Sequence, residues 1–342
     1  MNARAFVLAA GFGTRLRPLT DHRPKPLVPV CGVTVLEQAL VLCRQHGIRS
    51  AVVNAHYLPD AIQRFCGGYR AMDVHVQVEA PDILGTGGGL QAARERLGDP
   101  FAVVNGDVLC DGDLGALLSG CEQPDIEACM LLRRADDAGQ HGIVAVDGRG
   151  LVARLTSLAR MEGVEPVAQD THFTGIHALR LSALDRVPAE GFACIVRSAY
   201  IELIPAGRVA GRVHPGTWLD VGNPAAYLDA NAAVLDGTVD LPLDPWVRAA
   251  WGCRADGEPV GSRTRCDVHP SVRMDAPSWV GPGAAIDADV VLGPHVVVGQ
   301  RARIGRGARL ERTVVWDGCE VPAGVELRNC VVHDGGVLRV EA

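Results

Sequence analysis

Lysine is almost missing from this chain: of its 33 basic residues only Lys25 is a lysine, and every other one is arginine. Long basic runs are missing too, and the net charge is −7, which argues against nucleic acid as a partner. No uninterrupted apolar stretch approaches about 20 residues and a strand-like pattern begins almost at once. Neither a membrane span nor a signal peptide is therefore expected, and a cytoplasmic location is the simplest expectation. The 11 cysteines run from Cys31 to Cys330 without one C-x-x-C pair. That spacing fits reduced, mostly buried thiols better than a disulfide framework or a zinc site. The 342 residues are enough for about two domains.

What is present is concentrated near the start. An apolar run, Ala5 to Ala10, ends at Gly11 and Gly13 and is followed by Arg15, Arg17, Arg23 and Lys25. Glycine lets backbone N–H groups approach a phosphate closely and the cations neutralise it, so this stretch reads as a strand delivering an anion-binding loop. Neither standard phosphate motif fits. A dinucleotide fingerprint would need a third glycine where Leu16 stands, and a P-loop would need Gly-Lys-Ser/Thr. Pro18, Pro24, Pro26 and Pro29 prevent one long helix here. An ordinary surface turn with scattered arginines is the competing interpretation. Lys25 sharpens the choice, because a compact ammonium kept between two prolines in an arginine-rich chain suits direct contact with one phosphate oxygen.

The run Gly11-Phe-Gly-Thr-Arg-Leu-Arg-Pro-Leu-Thr20, followed by Pro24-Lys25-Pro26, resembles the signature of the sugar-1-phosphate nucleotidyltransferases, or NDP-sugar pyrophosphorylases. The resemblance implies a Rossmann-like α/β domain of GT-A type with a mostly parallel sheet, an NTP and a sugar 1-phosphate as partners, and Mg²⁺ as cofactor. It places Leu8, Ala10, Gly11, Gly13 and Thr14 at the nucleotide, Arg15 at the leaving pyrophosphate, and Lys25 near the α-phosphate or the attacking phosphate.

The pattern that follows agrees with such a fold. Periodicity predicts a helix over Thr34–Cys43, a strand over Ser50–Asn54, a short helix over Pro59–Phe65 and a strand over Val74–Val78. Alternation of this kind implies a parallel sheet with helices on its faces and ligands beyond the carboxyl ends of the strands. A glycine cluster then opens a helix running toward Leu97. Gly85, Gly87, Gly88 and Gly89 allow a flat base or ribose to lie against backbone, and a helix N-terminus favours anions, although a flexible turn has the same composition. The cluster resembles the family's LGTxGG segment, which puts Gly85, Thr86 and Gly87 at the nucleotide base. The strand Phe101-Ala-Val-Val ends in Asn-Gly-Asp107, where a carboxylate could hold Mg²⁺ or merely shape a turn. Asp107 matches the family's metal aspartate.

Further strands are expected at Ala128–Leu132, His141–Asp147 and Phe173–Leu179. By resemblance these line the sugar pocket, with Gly142, Thr174 and Gly175 beside the sugar phosphate. The Glu-Lys-Pro often carried between them is missing. Since no second lysine exists, Glu162 or Glu165 is left to supply the carboxylate, and Arg154, Arg160 or Arg197 the cation. Trp218-Leu-Asp220-Val-Gly-Asn-Pro224 resembles the W-x-D-x-G-x-P motif, whose aspartate is the second metal ligand; capping a turn before the helix is the alternative role for Asp220.

After a Pro- and Gly-marked linker, Pro242 to Gly261, the composition changes. Aliphatic or sulfur side chains recur every six residues at Val268, Met274, Val280, Ile286, Leu292, Val298, Ile304 and Leu310, with small or aliphatic residues four positions later and glycines at 281, 293, 299 and 305. This is the hexapeptide pattern of a left-handed parallel β-helix of roughly four turns. Its phase slips near Trp316 and resumes at Val321 and Leu327. The expected layout is a catalytic domain over 1–237, a linker over 238–264 and the β-helix over 265–342. Open solenoid ends suggest a homo-oligomer assembled through the β-helix.

The expected activity is transfer of a nucleotidyl group to a sugar 1-phosphate. The LGTGGG and VVNGD segments joined to a β-helix look most like mannose-1-phosphate guanylyltransferases, hence GTP and mannose 1-phosphate, with UTP or dTTP and a glucose 1-phosphate-like sugar as the alternative. Two other classes compete. A hexapeptide acyltransferase would use His269, His295 or His333 as base, and a catalytically silent regulatory subunit would normally lack the signature residues that are all kept here.

Overall fold

The computed structural model describes residues 3–134, 142–239, 253–254 and 266–341. The chain forms two compact units, Met1–Phe12 with Leu42–Trp218, and Gly13–Val41 with Leu219–Ala342. The cationic part of the signature lies in the second of these units. Most of the expected linker lies outside the described residues.

The first unit is built on a sheet whose parallel core is Asp73–Val78, Ser50–Ala55, Arg4–Leu8 and Phe101–Asn105, in that spatial order. Apolar runs buried on both faces belong in the middle of such a sheet, and Phe6, Val7, Val103 and Val104 are all buried. The alternating Asp73–Val78 is half exposed and forms the edge. Beyond Phe101–Asn105 the sheet turns antiparallel through the 12-residue strand Ala168–Leu179, which also pairs with Ala128–Arg134 and Ile143–Val146. The expected Phe173–Leu179 is the second half of that strand, and the register shifts between Phe173 and His177, around Gly175. The helix Pro59–Gly68 begins with proline at its first turn and buries Ile62 and Cys66. Phe6, Leu90, Phe101, Met130 and Tyr200 lie in one continuous core.

In the second unit the period of six becomes a parallel β-helix. Strands pair 18 residues apart, Val268 with Ile286 and Ile286 with Ile304, so three hexads make one coil. The recurrent aliphatic residues fill the interior, where Val280, Ile286, Leu292, Val298, Ile304 and Leu310 are buried together. Corners fall at residues with positive φ spaced six apart: Gly283, Asp289, His295, Arg301 and Gly307. The glycines following the inward residues do something else. A Cβ on Gly305 would lie 2.6 Å from the backbone nitrogen of Ala323 in the next coil, an atom that cannot step aside. Gly305→Ala should therefore cost about 1–3 kcal/mol of stability, read as an earlier urea-unfolding transition.

The phase slip is the loss of one residue per coil. From Val298 onward the pairing separation is 17, Val298 with Val315 and Ile304 with Val321, and Val315 pairs with Val332. The faces on either side of the shortened corner merge into single strands, Arg309–Val315 and Glu326–His333. Arg312 and Asn329 take the positive-φ corner positions within them, with Arg312 donating to Asn329 at 3.2 Å.

Candidate active site

In the first unit, predicted nucleotide and metal residues meet at the carboxyl ends of the parallel strands. Leu8 closes the first strand, and its carbonyl accepts the Gly106 N–H at 2.9 Å. Gly106 must be glycine, because a Cβ there would sit 2.8 Å from that same oxygen. The contact fixes Asn105-Gly106-Asp107 beside the loop that carries Ala10 and Gly11, and Asp107 is half-buried. Gly11 is exposed with open space around its α-carbon. From the other side Gly175, at φ +83°, turns so that a side chain there would overlap the Asn105 amide. Its neighbour Thr174 is anchored by its hydroxyl to the Leu131 carbonyl at 2.8 Å, and its own carbonyl accepts from Trp218 Nε1 at 2.9 Å.

In the glycine cluster the first backbone donors are taken up within the chain. The amides of Gly87 and Gly88 both donate to the Ala193 carbonyl, at 2.8 and 3.2 Å, and Thr86 Oγ1 accepts from the Ile195 amide at 3.0 Å. The helix Gly85–Ala92 thus spends its first donors on its own chain. The room left by the missing side chains is likewise filled from within, by Ala193 and Phe192 at Gly85 and by Glu79 at Gly89. Gly142, at φ +88°, faces Thr156, and Glu162 sits exposed in the turn between Ala159–Arg160 and Ala168–Leu179. Arg154 reaches Gln169 at 3.3 Å, and Arg160 and Arg197 are exposed.

The second unit holds the charged half. Gly13 adopts φ +63° and opens a short turn, Thr14–Leu16, that leaves Thr14 and Arg15 exposed. Thr20 closes the loop by donating to the Gly13 carbonyl at 2.9 Å. A Cβ on Gly13 would meet both Thr20 and Lys25 at 3.0 Å, so this glycine carries a conformation and a close approach at once. Lys25 begins the turn Lys25–Leu27, held by Pro24 and Pro26. Its side chain is 9% exposed, and Nζ lies 3.4 Å from Asp220 Oδ1. The other Asp220 oxygen faces Arg15 at 3.7 Å. One carboxylate therefore lies between the two cations that the sequence assigns to phosphate. Asn223 then caps the helix Pro224–Leu235 by accepting from the Ala226 amide at 3.0 Å, so the cap belongs to Asn223 and Asp220 is left to the cations.

The donor chemistry suits Mg²⁺. Asp107 in the first unit and Asp220 in the second each offer carboxylate oxygens, the hard ligands that ion prefers. Asp220 keeps its oxygens at ion-pair rather than tight hydrogen-bond separations from its cations, which leaves lone pairs for an incoming charge.

A family model described as nucleotidyl transferase matches residues 4–237. The chain belongs to the nucleotidyl transferase family. Residues 274–339 match a second model, the GMPPB C-terminal domain. This transferase is 29% identical over 333 residues to a mannose-1-phosphate guanylyltransferase of Mycobacterium tuberculosis, covering 96% of this chain and 82% of that protein. It is 25% identical to mannose-1-phosphate guanylyltransferase 1 of Arabidopsis thaliana, covering 99% and 83%. To a UTP–glucose-1-phosphate uridylyltransferase of Synechocystis it is 26% identical, covering 99% and 91%.

Two site-building residues of the transferase went unread in its sequence. Asn54, buried at the end of its strand, accepts from the Ala9 amide at 2.7 Å and donates to Glu79 Oε1 at 2.8 Å. Glu79 Oε2 in turn accepts from the Leu84 amide at 2.8 Å. This buried chain ties the loop after the first strand to the segment that opens at Gly85. The available signal was a polar residue at the end of each of two strands, Ser50–Ala55 and Asp73–Val78. The histidines considered as acyl-transfer bases are engaged locally: His269 with Ser271 at 2.9 Å, His295 with Asp236 at 2.8 Å, and buried His333 against the Trp316 ring. Among the described residues no helix is long and apolar enough to cross a membrane.

Proposed function

We propose that this nucleotidyl transferase joins GTP and mannose 1-phosphate, giving GDP-mannose and pyrophosphate. What carries the proposal is similarity over nearly the whole chain, through both domains in order, to relatives named mannose-1-phosphate guanylyltransferase. In the reaction a sugar-phosphate oxygen attacks the α-phosphorus, one P–O bond forms, and the bond to the departing pyrophosphate breaks. A phosphate with a second pKa of about 6 is already anionic at neutral pH, so no general base is needed, and the work is positioning and neutralisation. Gly11 and Gly13 backbone receive the nucleotide phosphates, Arg15 meets the leaving pyrophosphate, and Lys25 steadies the α-phosphate or the attacking phosphate. Asp107 and Asp220 would hold Mg²⁺, which would supply neutralisation of phosphate charge when bound. Leu8, Ala10 and Thr14 flank the nucleotide, Gly85, Thr86 and Gly87 its base, and Gly142, Glu162, Thr174 and Gly175 the sugar phosphate. With one lysine in the chain, Lys25 serves both phosphates or shares the task with an arginine. The β-helix ends mediate assembly into a homo-oligomer, which a monomeric elution volume in gel filtration would disprove.

The test is pyrophosphate release with GTP, UTP, dTTP and ATP against a panel of sugar 1-phosphates. GTP with mannose 1-phosphate should exceed every other pair by at least about tenfold in kcat/KM, the discrimination expected of one or two lost hydrogen bonds. Higher turnover with UTP and glucose 1-phosphate would replace the substrate assignment. Silence across the panel would favour a regulatory subunit.

A further inference from the structure

We propose that Arg23, Trp316 and Asp334 form a clamp by which the β-helix sets the position of Lys25, making Arg23 a positioning residue for nucleotidyl transfer. The proposal rests on the assignment of Lys25 to phosphate. Arg23 stands two residues before it, separated only by Pro24. The Arg23 guanidinium carbon lies 4.3 Å from the centroid of the Trp316 ring, and its Nη2 is 3.1 Å from Asp334 Oδ2. The Arg23 side chain is 22% exposed and that of Asp334 40%, while Trp316 is buried, so the stacking contact is the better shielded of the two.

Trp316 is the departure in the solenoid that the repeat leaves unexplained. Stacking places it in register with Gly281 and Gly299 of the preceding coils and with His333 of the next, so an indole stands where the earlier coils carry glycine. It is buried, its Nε1 donates to Tyr227 Oη at 2.9 Å, and Tyr227 Oη donates to the Pro29 carbonyl at 2.6 Å. The Cys31 amide donates to Asn231 Oδ1 at 2.9 Å, and Gly32 leaves the space that the Trp279 ring occupies. The signature segment is thus pinned at Arg23 on one side of Lys25 and at Pro29, Cys31 and Gly32 on the other. Pro24 and Pro26 restrict the backbone between these anchors, so a shift at Arg23 is passed on to Lys25 rather than absorbed. Placement matters here because a displacement of about 1 Å in a positioning group can cost on the order of 100-fold in rate.

The sole lysine gives a readout that does not depend on turnover. Amine acylation of the full-length protein, followed by mass spectrometry of the peptide bearing Lys25, reports how firmly that ammonium is held. In Arg23→Gln and in the milder Asp334→Asn, acylation of Lys25 should accelerate by about tenfold and about threefold respectively, as the segment opens more often. Pyrophosphate formation on the best substrate pair should lose about 10- to 100-fold in kcat with little change in KM for the nucleotide. Arg23→Lys should recover part of the kcat effect, and Arg23→Asp should be partly rescued in both readouts by Asp334→Arg. Unchanged acylation in folded Arg23→Gln, or loss of thermal stability with full kcat per folded molecule, would overturn the clamp. Faster acylation in a protein silent toward every substrate would uphold the clamp and reject the catalytic assignment of Lys25 instead.

Discussion

Lys25→Arg should lower kcat for pyrophosphate formation by about 10²- to 10³-fold, the cost of misplacing a charge that stabilises the transition state, with the fold intact. The substitution keeps the charge and changes only its shape. That change is poorly tolerated where Lys25 sits: its side chain is 9% exposed, its Cβ is crowded by the turn at Gly13, and its ammonium points at one Asp220 oxygen. An ammonium is a compact donor that can pass from a carboxylate to a phosphate oxygen by rotating about the same stem. A guanidinium is a wide planar fork that pairs most strongly with two oxygens at once. In this space arginine should either stay locked on Asp220 or push the Thr14–Leu16 turn outward. Both outcomes remove the cation from the phosphate. Far-ultraviolet circular dichroism and a thermal midpoint within a few degrees of the parent would show that the fold survives. Turnover close to the parent would mean that Lys25 persists for another reason and has no direct phosphate role.

The sequence disclosed the features that depend on local pattern. Val-rich runs buried on both faces identify the parallel strands, and aliphatic residues every six positions identify the β-helix, because each repeat meets the same environment. Partnerships between distant strand ends stayed hidden. Asn54 and Glu79 are polar residues at strand ends like many others until the register brings Ala9 and Leu84 within hydrogen-bond reach of them. The glycine cluster shows the complementary failure. A glycine says that something presses close, without saying what. At Gly87 and Gly88 it is the chain's own backbone around Ala193, whose carbonyl takes both of their amides, so these are not free donors for an anion. At Gly13 the pressing groups are Thr20 and Lys25, so the same residue type there shapes the cationic loop itself.

Asp220→Asn should reduce kcat by about 10³-fold and raise the Mg²⁺ concentration needed for half-maximal activity, with most of the loss in kcat rather than in nucleotide KM. Asp220 neutralises two cations, Arg15 and Lys25, and on the proposed assignment also contributes to the metal site. The amide keeps the size and removes the charge, so the ammonium loses this ion pair and the metal loses a hard donor together. Gly222→Ala separates these effects. A methyl group at 222 would overlap Asp220 Oδ2, displacing the carboxylate while leaving it charged. Its expected penalty is smaller, about 10- to 100-fold, and added Mg²⁺ should recover part of it, because a charged but misplaced ligand can still be drawn toward the ion. If Asp220→Asn retained the parent's Mg²⁺ dependence while losing activity, Asp220 would be an ion-pair partner of Lys25 alone. The metal would then have to be held by Asp107 with substrate phosphates completing its coordination.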